Sequence, residues 1–344
     1  MPRVDDANQW DREKAKLLGR RISELGLAIR GTRVELLVAR LHAELAERGI
    51  AFRPPVYLSD EWGCPDGTPL IGVPFYLADR RLERIEAEQS GSVESDEEAM
   101  RYLRHEAGHA VNYAFRLHER TDFASMFGDY AQPYREHYRA DPLSRAHVRH
   151  ILNWYAQKHP DEDFAETFAV WLTPGVDWRS EYAGWPALVK LEWVEQEIRR
   201  IAECQPVIPT LGEDDVPVES MHWTVAEHYE ESDPLAVGDG RQFDDDLRRV
   251  FATMADAPVG EPAALFLERH EGELVVRMSY WAGVAPAAAR ALLRSLRERS
   301  DSQRLTVAGL DATTLIELTA FGTAVLLHWR YTRAADAPPH SPET

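Results

Sequence analysis

Residues 100–116 read MRYLRHEAGHAVNYAFR, and the five at their centre, His105-Glu106-Ala107-Gly108-His109, constrain the chain more than any other feature. Leu103, Ala107, Ala110, Val111, Ala114 and Phe115 recur at helical spacing, so a helix is expected over about 95–118. Two histidines four residues apart leave one helix face about one turn from each other, and both imidazoles can reach a single ion. Glu106 is turned by ~100° around the same helix, beside such an ion rather than on it. Gly108 leaves its face bare, room for a second helix to come close. HExxH arises by chance in roughly one chain in twenty to thirty of this length, so its meaning depends on whether a further ligand follows. Without one, the motif is an amphipathic helix with two solvated histidines.

A further ligand does follow. Residues 155–172 read YAQKHPDEDFAETFAVWL. Pro160 ends whatever precedes it, Asp161 can cap the next helix, and Glu162 and Glu166 then fall four apart on one face. Two carboxylates on an otherwise apolar helix (Phe164, Phe168, Val170, Trp171, Leu172) are expensive to bury unless paired or bound to a metal. Ala165 and Ala169 flank them and permit close approach, as Gly108 does opposite. The economical reading is two helices meeting at one zinc ion, His105 and His109 from the first and a glutamate from the second. Spacing alone allows either glutamate. Asp163 points elsewhere and is expected to be a capping or solvated charge.

HExxH followed by a helix of the form E-x-x-A-E resembles the gluzincin metallopeptidases. EDFAETFA, with HEAGH upstream and Tyr155 seven residues before Glu162, looks closest to the bacterial zinc-binding metallopeptidases and to the catalytic domain of anthrax lethal factor. The likeness covers about residues 30–200. It implies a zincin-like α+β domain, mostly helical with a small sheet, and one Zn²⁺ held by His105, His109 and Glu162. It also implies Glu106 as general base, Glu166 as the acceptor that orients a ligand histidine, and Tyr155 as the donor to the tetrahedral oxyanion. A strand within PLIGVPFYLA, ahead of the metal helix, is expected to offer an edge to an extended peptide.

The remaining sequence sets the frame. At 344 residues two domains are expected. They are read as 1–204 carrying the site, a Pro- and acid-rich linker or crossover over 205–240, a small α+β module over 241–335 and a disordered tail over 336–344. The formal charge of -19 disfavours phosphate backbones, so no nucleic-acid partner is expected. No run approaches the ~20 apolar residues of a membrane span, and the start has no signal-like apolar core. No membrane association and a cytoplasmic location are therefore expected. Cys64 and Cys204 lack any CxxC partner, which excludes a thiolate zinc finger.

Helices are expected at 143–157, 161–173 and 187–202, around an aromatic stretch over 123–138 that borders the cleft. His147 and His150 read as surface residues. Further on, AALFLERHEGELVVRMSYW reads as a hairpin about Glu271-Gly272, APAAARALLRSLRERS as a helix, and TTLIELTAFGTAVLLHWRYT as more strand.

The pattern thus supports a zinc-dependent peptidase acting on peptides or proteins. The alternative is a non-catalytic or regulatory zinc-binding interaction protein with a vestigial site. The C-terminal module, as a surface for a protein partner, keeps that alternative open.

Overall fold

The computed structural model describes residues 4–89, 93–134, 138–201, 204–206, 216–230, 240–253, 260–284 and 286–336. They form two units, Met1–Ala87 with Val93–Glu230, and Glu88–Ser92 with Glu231–Thr344.

In the first unit the elements run α1 (Val4–Leu18), α2 (Arg33–Glu47), β1 (Val56–Ser59), β2 (Ile71–Pro74), α3 (Arg80–Gln89), α4 (Asp96–Phe115), α5 (Phe123–Phe127), α6 (Pro160–Leu172), α7 (Trp178–Glu181), α8 (Ala187–Ile201) and α9 (Val225–Glu230). The metal-motif helix is α4. Ser95 starts it with a capping box, its backbone N–H donating to Glu98 Oε2 at 2.9 Å while its hydroxyl accepts from the Glu98 N–H. From Leu103 to Ala114 every residue of α4 is buried, so this helix is the axis of the unit. Val34, Leu37, Leu41 and Leu45 of α2 are buried in the same core, while Leu36 is exposed. Between α2 and α4, Arg104 grips Glu44 with two bonds of 2.7 and 2.8 Å, both side chains buried. Glu44 also takes Arg40 Nε at 3.1 Å, so it is loss of Glu44 that would strand a buried charge, Arg104, at a cost of about 3–5 kcal/mol.

Helix α6 is buried along its whole length. It crosses α4 where Gly108 faces Ala165: a Cβ added at Gly108 would stand 2.7 Å from Ala165 Cα. This is the close approach that the two runs of small residues foretell.

Several expectations give way. Thr32, whose place before the run RVELLVARLHAELAERG suggests an N-cap, does stand at that position, but its hydroxyl donates to Ile29 O at 2.6 Å and makes no bond to the helix. Residues 143–151 hold no helix, and 152–157 form only 3₁₀ turns. β1 and β2 pair in parallel, Val56 opposite Ile71. On the outer side of β2, Gly72 exchanges both backbone bonds with Gly63, its N–H reaching Gly63 O at 2.7 Å. The chain itself thus fills the edge at Gly72 where a peptide was expected to add. Residues 216–230, read as part of a linker, pack as a return segment: Val218, Met221 and Val225 are buried in the first core. The Ile22 N–H donates to Trp223 O at 3.0 Å. Glu213, Asp214 and Asp215 lie outside the described residues.

The second unit is helical where strands were expected. It comprises α10 (Asp244–Val250), β3 (Ala252–Thr253), α11 (Ala263–Arg269), α12 (Glu271–Ala282), α13 (Pro286–Ser302), β4 (Leu305–Thr306) and α14 (Asp311–Asp336). The supposed hairpin about Gly272 is two consecutive helices meeting at His270. The apolar run 313–332 is part of a single helix. Only the helix over 286–302 falls where it was placed, and the sheet shrinks to the two-residue antiparallel pair of β3 and β4. Phe266, Leu274, Met278, Leu292, Leu296, Leu318 and Leu326 make the core. The tail, from residue 337, lies outside the described residues. Among the described residues no helix is long and apolar enough to cross a membrane.

Candidate metal centre

Helices α4 and α6 bring His105, His109 and Glu162 together in the buried core, as one group that could hold a metal ion. His105 Nε2 lies 3.1 Å from His109 Nε2 and 3.0 Å from Glu162 Oε2, and His109 Nε2 lies 3.2 Å from the same oxygen. The other nitrogen of each ring faces a carboxylate. His105 Nδ1 lies 2.9 Å from Glu166 Oε1, and His109 Nδ1 lies 2.9 Å from Asp161 Oδ2. A proton on Nδ1, bonded to Glu166 at His105 and facing Asp161 at His109, leaves each Nε2 lone pair turned inward. Two inward lone pairs and a carboxylate oxygen some 3 Å apart repel one another unless a cation lies between them. Ligand atoms ~2.0–2.1 Å from a tetrahedral ion stand about 3.3 Å apart, so the donor set fits zinc. Among the described residues the donor set has three members, one fewer than a tetrahedral ion takes.

Glu166 does more than face His105. Its second oxygen accepts the backbone N–H groups of His150 (3.2 Å) and Ile151 (2.8 Å), which ties the loop before Tyr155 to the site. Spacing had left Glu162 and Glu166 as alternatives, and the geometry separates them: Glu162 converges with the two Nε2 atoms, while Glu166 lies behind His105.

Asp161 is the residue that sequence reasoning misplaced. It does not cap α6. His159 does, its Nδ1 accepting the Asp161 N–H at 3.2 Å while its Nε2 donates to Gln132 O at 2.9 Å. The Asp161 carboxylate instead accepts Asn112 Nδ2 at 2.8 Å and the Tyr113 hydroxyl at 2.5 Å, besides facing His109. Asn112 and Tyr113 follow the motif directly on α4, so one helix supplies both the ligands and the clamp on a carboxylate behind them. Asp163 is neither capping nor solvated. It is buried against Lys190 Nζ at 2.5 Å, and burial pushes its carboxyl up to about 7 against the pull of that lysine. His147 is half-buried and held down to about 4 by burial and by Lys190. The His150 ring donates from Nε2 to Arg101 O at 3.0 Å and stays outside the donor set.

Charge in the site follows from burial set against these neighbours. Burial pushes the Glu162 carboxyl up, but the adjacent His109 and His105 outweigh it and bring it well below the usual carboxylate range. For His105 burial works downwards, and as long as no cation takes up Nε2 the bonds to Glu162 and Glu166 lift it to about 10. Glu106 is raised, burial exceeding the pull of the two histidines. Among the described residues its carboxyl takes no hydrogen bond, although Glu106 is only 6% exposed.

Tyr155 is on the 3₁₀ segment Leu152–Gln157, next to Trp154, whose φ of 55° is left-handed. A bulky residue in that region is strained by ~1–2 kcal/mol. The Tyr155 ring packs edge-on to His105 at 5.6 Å between centroids. Its hydroxyl lies 3.4 Å from that of Tyr134 and accepts from Lys158 Nζ at 3.3 Å. The Tyr134 hydroxyl donates to Glu162 Oε1, the oxygen turned away from the histidines. Tyr134 was not singled out from sequence, and its only signal was its place in the aromatic stretch over 123–138.

A family model described as "Putative zinc-binding metallo-peptidase" matches residues 88–178. That span holds α4, the segment with Tyr134, Tyr155 and Lys158, and α6. It is about a quarter of the chain. No curated protein and no solved structure matches the sequence.

Proposed function

We propose that the chain is a zinc-dependent peptidase of the gluzincin type, with His105, His109 and Glu162 holding one Zn²⁺. The observation that carries this reading is the convergence of three ligand atoms at 3.0–3.2 Å beside a buried, unengaged carboxyl, Glu106. Bound zinc supplies a Lewis acid that brings a water towards ionisation near neutral pH. Glu106 takes the proton of the attacking water and passes it to the leaving amine. Its burial suits both steps, since a raised carboxyl pKa makes the base stronger and the proton still deliverable. Tyr155 donates its hydroxyl proton to the oxyanion that forms on the scissile carbonyl. Glu166 and Asp161 keep the two imidazoles in the tautomer that presents Nε2 inward.

The direct test is metal removal. The purified protein should carry about one zinc per chain, lose peptide cleavage on chelation and recover it with added Zn²⁺. A metal-free protein that cleaves a peptide library equally well would overturn the reading. Tyr155→Phe should keep its zinc while kcat falls ~10²–10³-fold, the usual effect of losing an oxyanion donor. Loss of zinc in that variant would instead make Tyr155 a structural residue.

A further inference from the structure

We propose that Lys158 binds a carboxylate of the substrate, placed within one or two residues of the bond that is cut; the inference rests on the peptidase reading. Acidic residues exceed basic ones by 19 in this chain, and of its 39 basic residues four are lysines. One of the four, Lys190, is neutralised by Asp163 at 2.5 Å. Lys158 is not: among the described residues no carboxylate lies within 4.0 Å of its Nζ. The half-buried ammonium is held by uncharged groups, 3.3 Å from the Tyr155 hydroxyl, 4.3 Å from the centre of the Tyr134 ring and 5.1 Å from that of Tyr155. Two aromatic faces and a phenol oxygen fix where a cation sits without cancelling its charge. In so acidic a chain, a fixed and unneutralised cation at the rim of the metal centre is a receptor for an anion brought from outside.

Reach sets where that anion lies on a peptide. If Tyr155 donates to the reacting oxygen at ~2.7 Å and Lys158 meets a carboxylate at ~2.8 Å, the two substrate oxygens are at most about 9 Å apart. At ~3.3–3.6 Å per extended residue, this is one or two residues from the scissile carbonyl. Both a free C-terminus and an Asp or Glu side chain supply the chemistry, and the substrate series tells them apart.

Two measurements on the full-length, zinc-loaded chain test the proposal. The first is kcat/KM for matched peptides that differ only in Glu or Gln, or Asp or Asn, at each of the two residues on either side of the cleaved bond. A further pair has a free or amidated C-terminus. One carboxylate should exceed its neutral counterpart about tenfold or more, the scale of a single charge-assisted hydrogen bond. Lys158→Met should bring the ratio close to one, and Lys158→Glu should favour a lysine at that position.

The second measurement is binding of the same peptides to the Glu106→Gln protein, where the same ratio should appear in Kd without turnover. Cleavage with no carboxylate preference, or an unchanged preference in Lys158→Met, would overturn the proposal. The latter result with a uniformly lower kcat would make Lys158 a positioning residue for Tyr155. No cleavage by the wild type, with the binding preference intact, would sink the peptidase reading and leave the carboxylate site standing.

Discussion

Glu106→Gln is expected to keep its zinc and lose its peptidase activity, by ~10³-fold or more. Two facts set the size. Glu106 is outside the three-atom donor set, whose members lie 3.0–3.2 Å apart, so the amide leaves metal affinity alone. The carboxyl is also the one buried acid beside that set which takes no hydrogen bond among the described residues, and so has no structural partner to lose. Proton transfer by a placed side chain contributes typically 10²–10⁴-fold, and in the proposed reaction one group serves both the attacking water and the leaving amine. The measurement is zinc per chain by elemental analysis together with kcat for a cleaved peptide. Full activity in Glu106→Gln would exclude it as the base. Loss of zinc would mean that the carboxyl supports the ligands, and the mechanism would need another base.

The place of Glu106 is legible in the amino-acid sequence because helical geometry fixes it once His105 and His109 share an ion. The same holds for the second helix, where Glu162, Ala165, Glu166 and Ala169 announce a face that meets α4. The roles of Asp161 and Tyr134 cannot be read that way. Asp161 follows Pro160 and looks like a cap, but the cap is a histidine two residues earlier. What commits Asp161 to His109 is a clamp from Asn112 and Tyr113, 48–49 residues away in the chain. Tyr134 reaches Glu162 from a segment with no periodicity.

In the second unit, propensity and period point in different directions, and period decides. Thr, Ile, Val and aromatic residues in TTLIELTAFGTAVLLHWRYT favour strand only weakly and in context. Over residues 311–331 of α14 the buried positions are Thr314, Leu318, Gly322 and Leu326, a spacing of four. Two of those four are small or polar, which hides the helical stripe from a reading based on hydrophobicity. Gly272 misleads in the same way, a turn signal that in the structure lies in the first turn of α12.

Gly108→Ala carries the other large expected effect, and its sign is a contest between two terms. In an exposed helix interior, alanine for glycine stabilises by about 1 kcal/mol. At position 108 the new Cβ would stand 2.7 Å from Ala165 Cα, 3.0 Å from Ala165 O and 3.2 Å from Ala165 Cβ. The two nearest atoms are backbone, so no rotamer relieves them and α6 itself must move. Overpacking of this kind costs typically 1–3 kcal/mol, enough to outweigh the helix term. The consequence for function exceeds that for stability. His105 and His109 flank position 108 on α4, and Glu162 is one turn before Ala165 on α6, so separating the helices opens the donor set itself. The variant should lose several degrees in Tm, and its zinc affinity should fall at least tenfold, with activity following the metal. Ala165→Gly in the same chain should rescue little, because it removes the 3.2 Å contact and leaves the two shorter ones. A Gly108→Ala protein that binds zinc as the wild type does and melts at a higher temperature would show that α4 and α6 have slack at their crossing. The fit of the two helices would then not be what sets the metal centre.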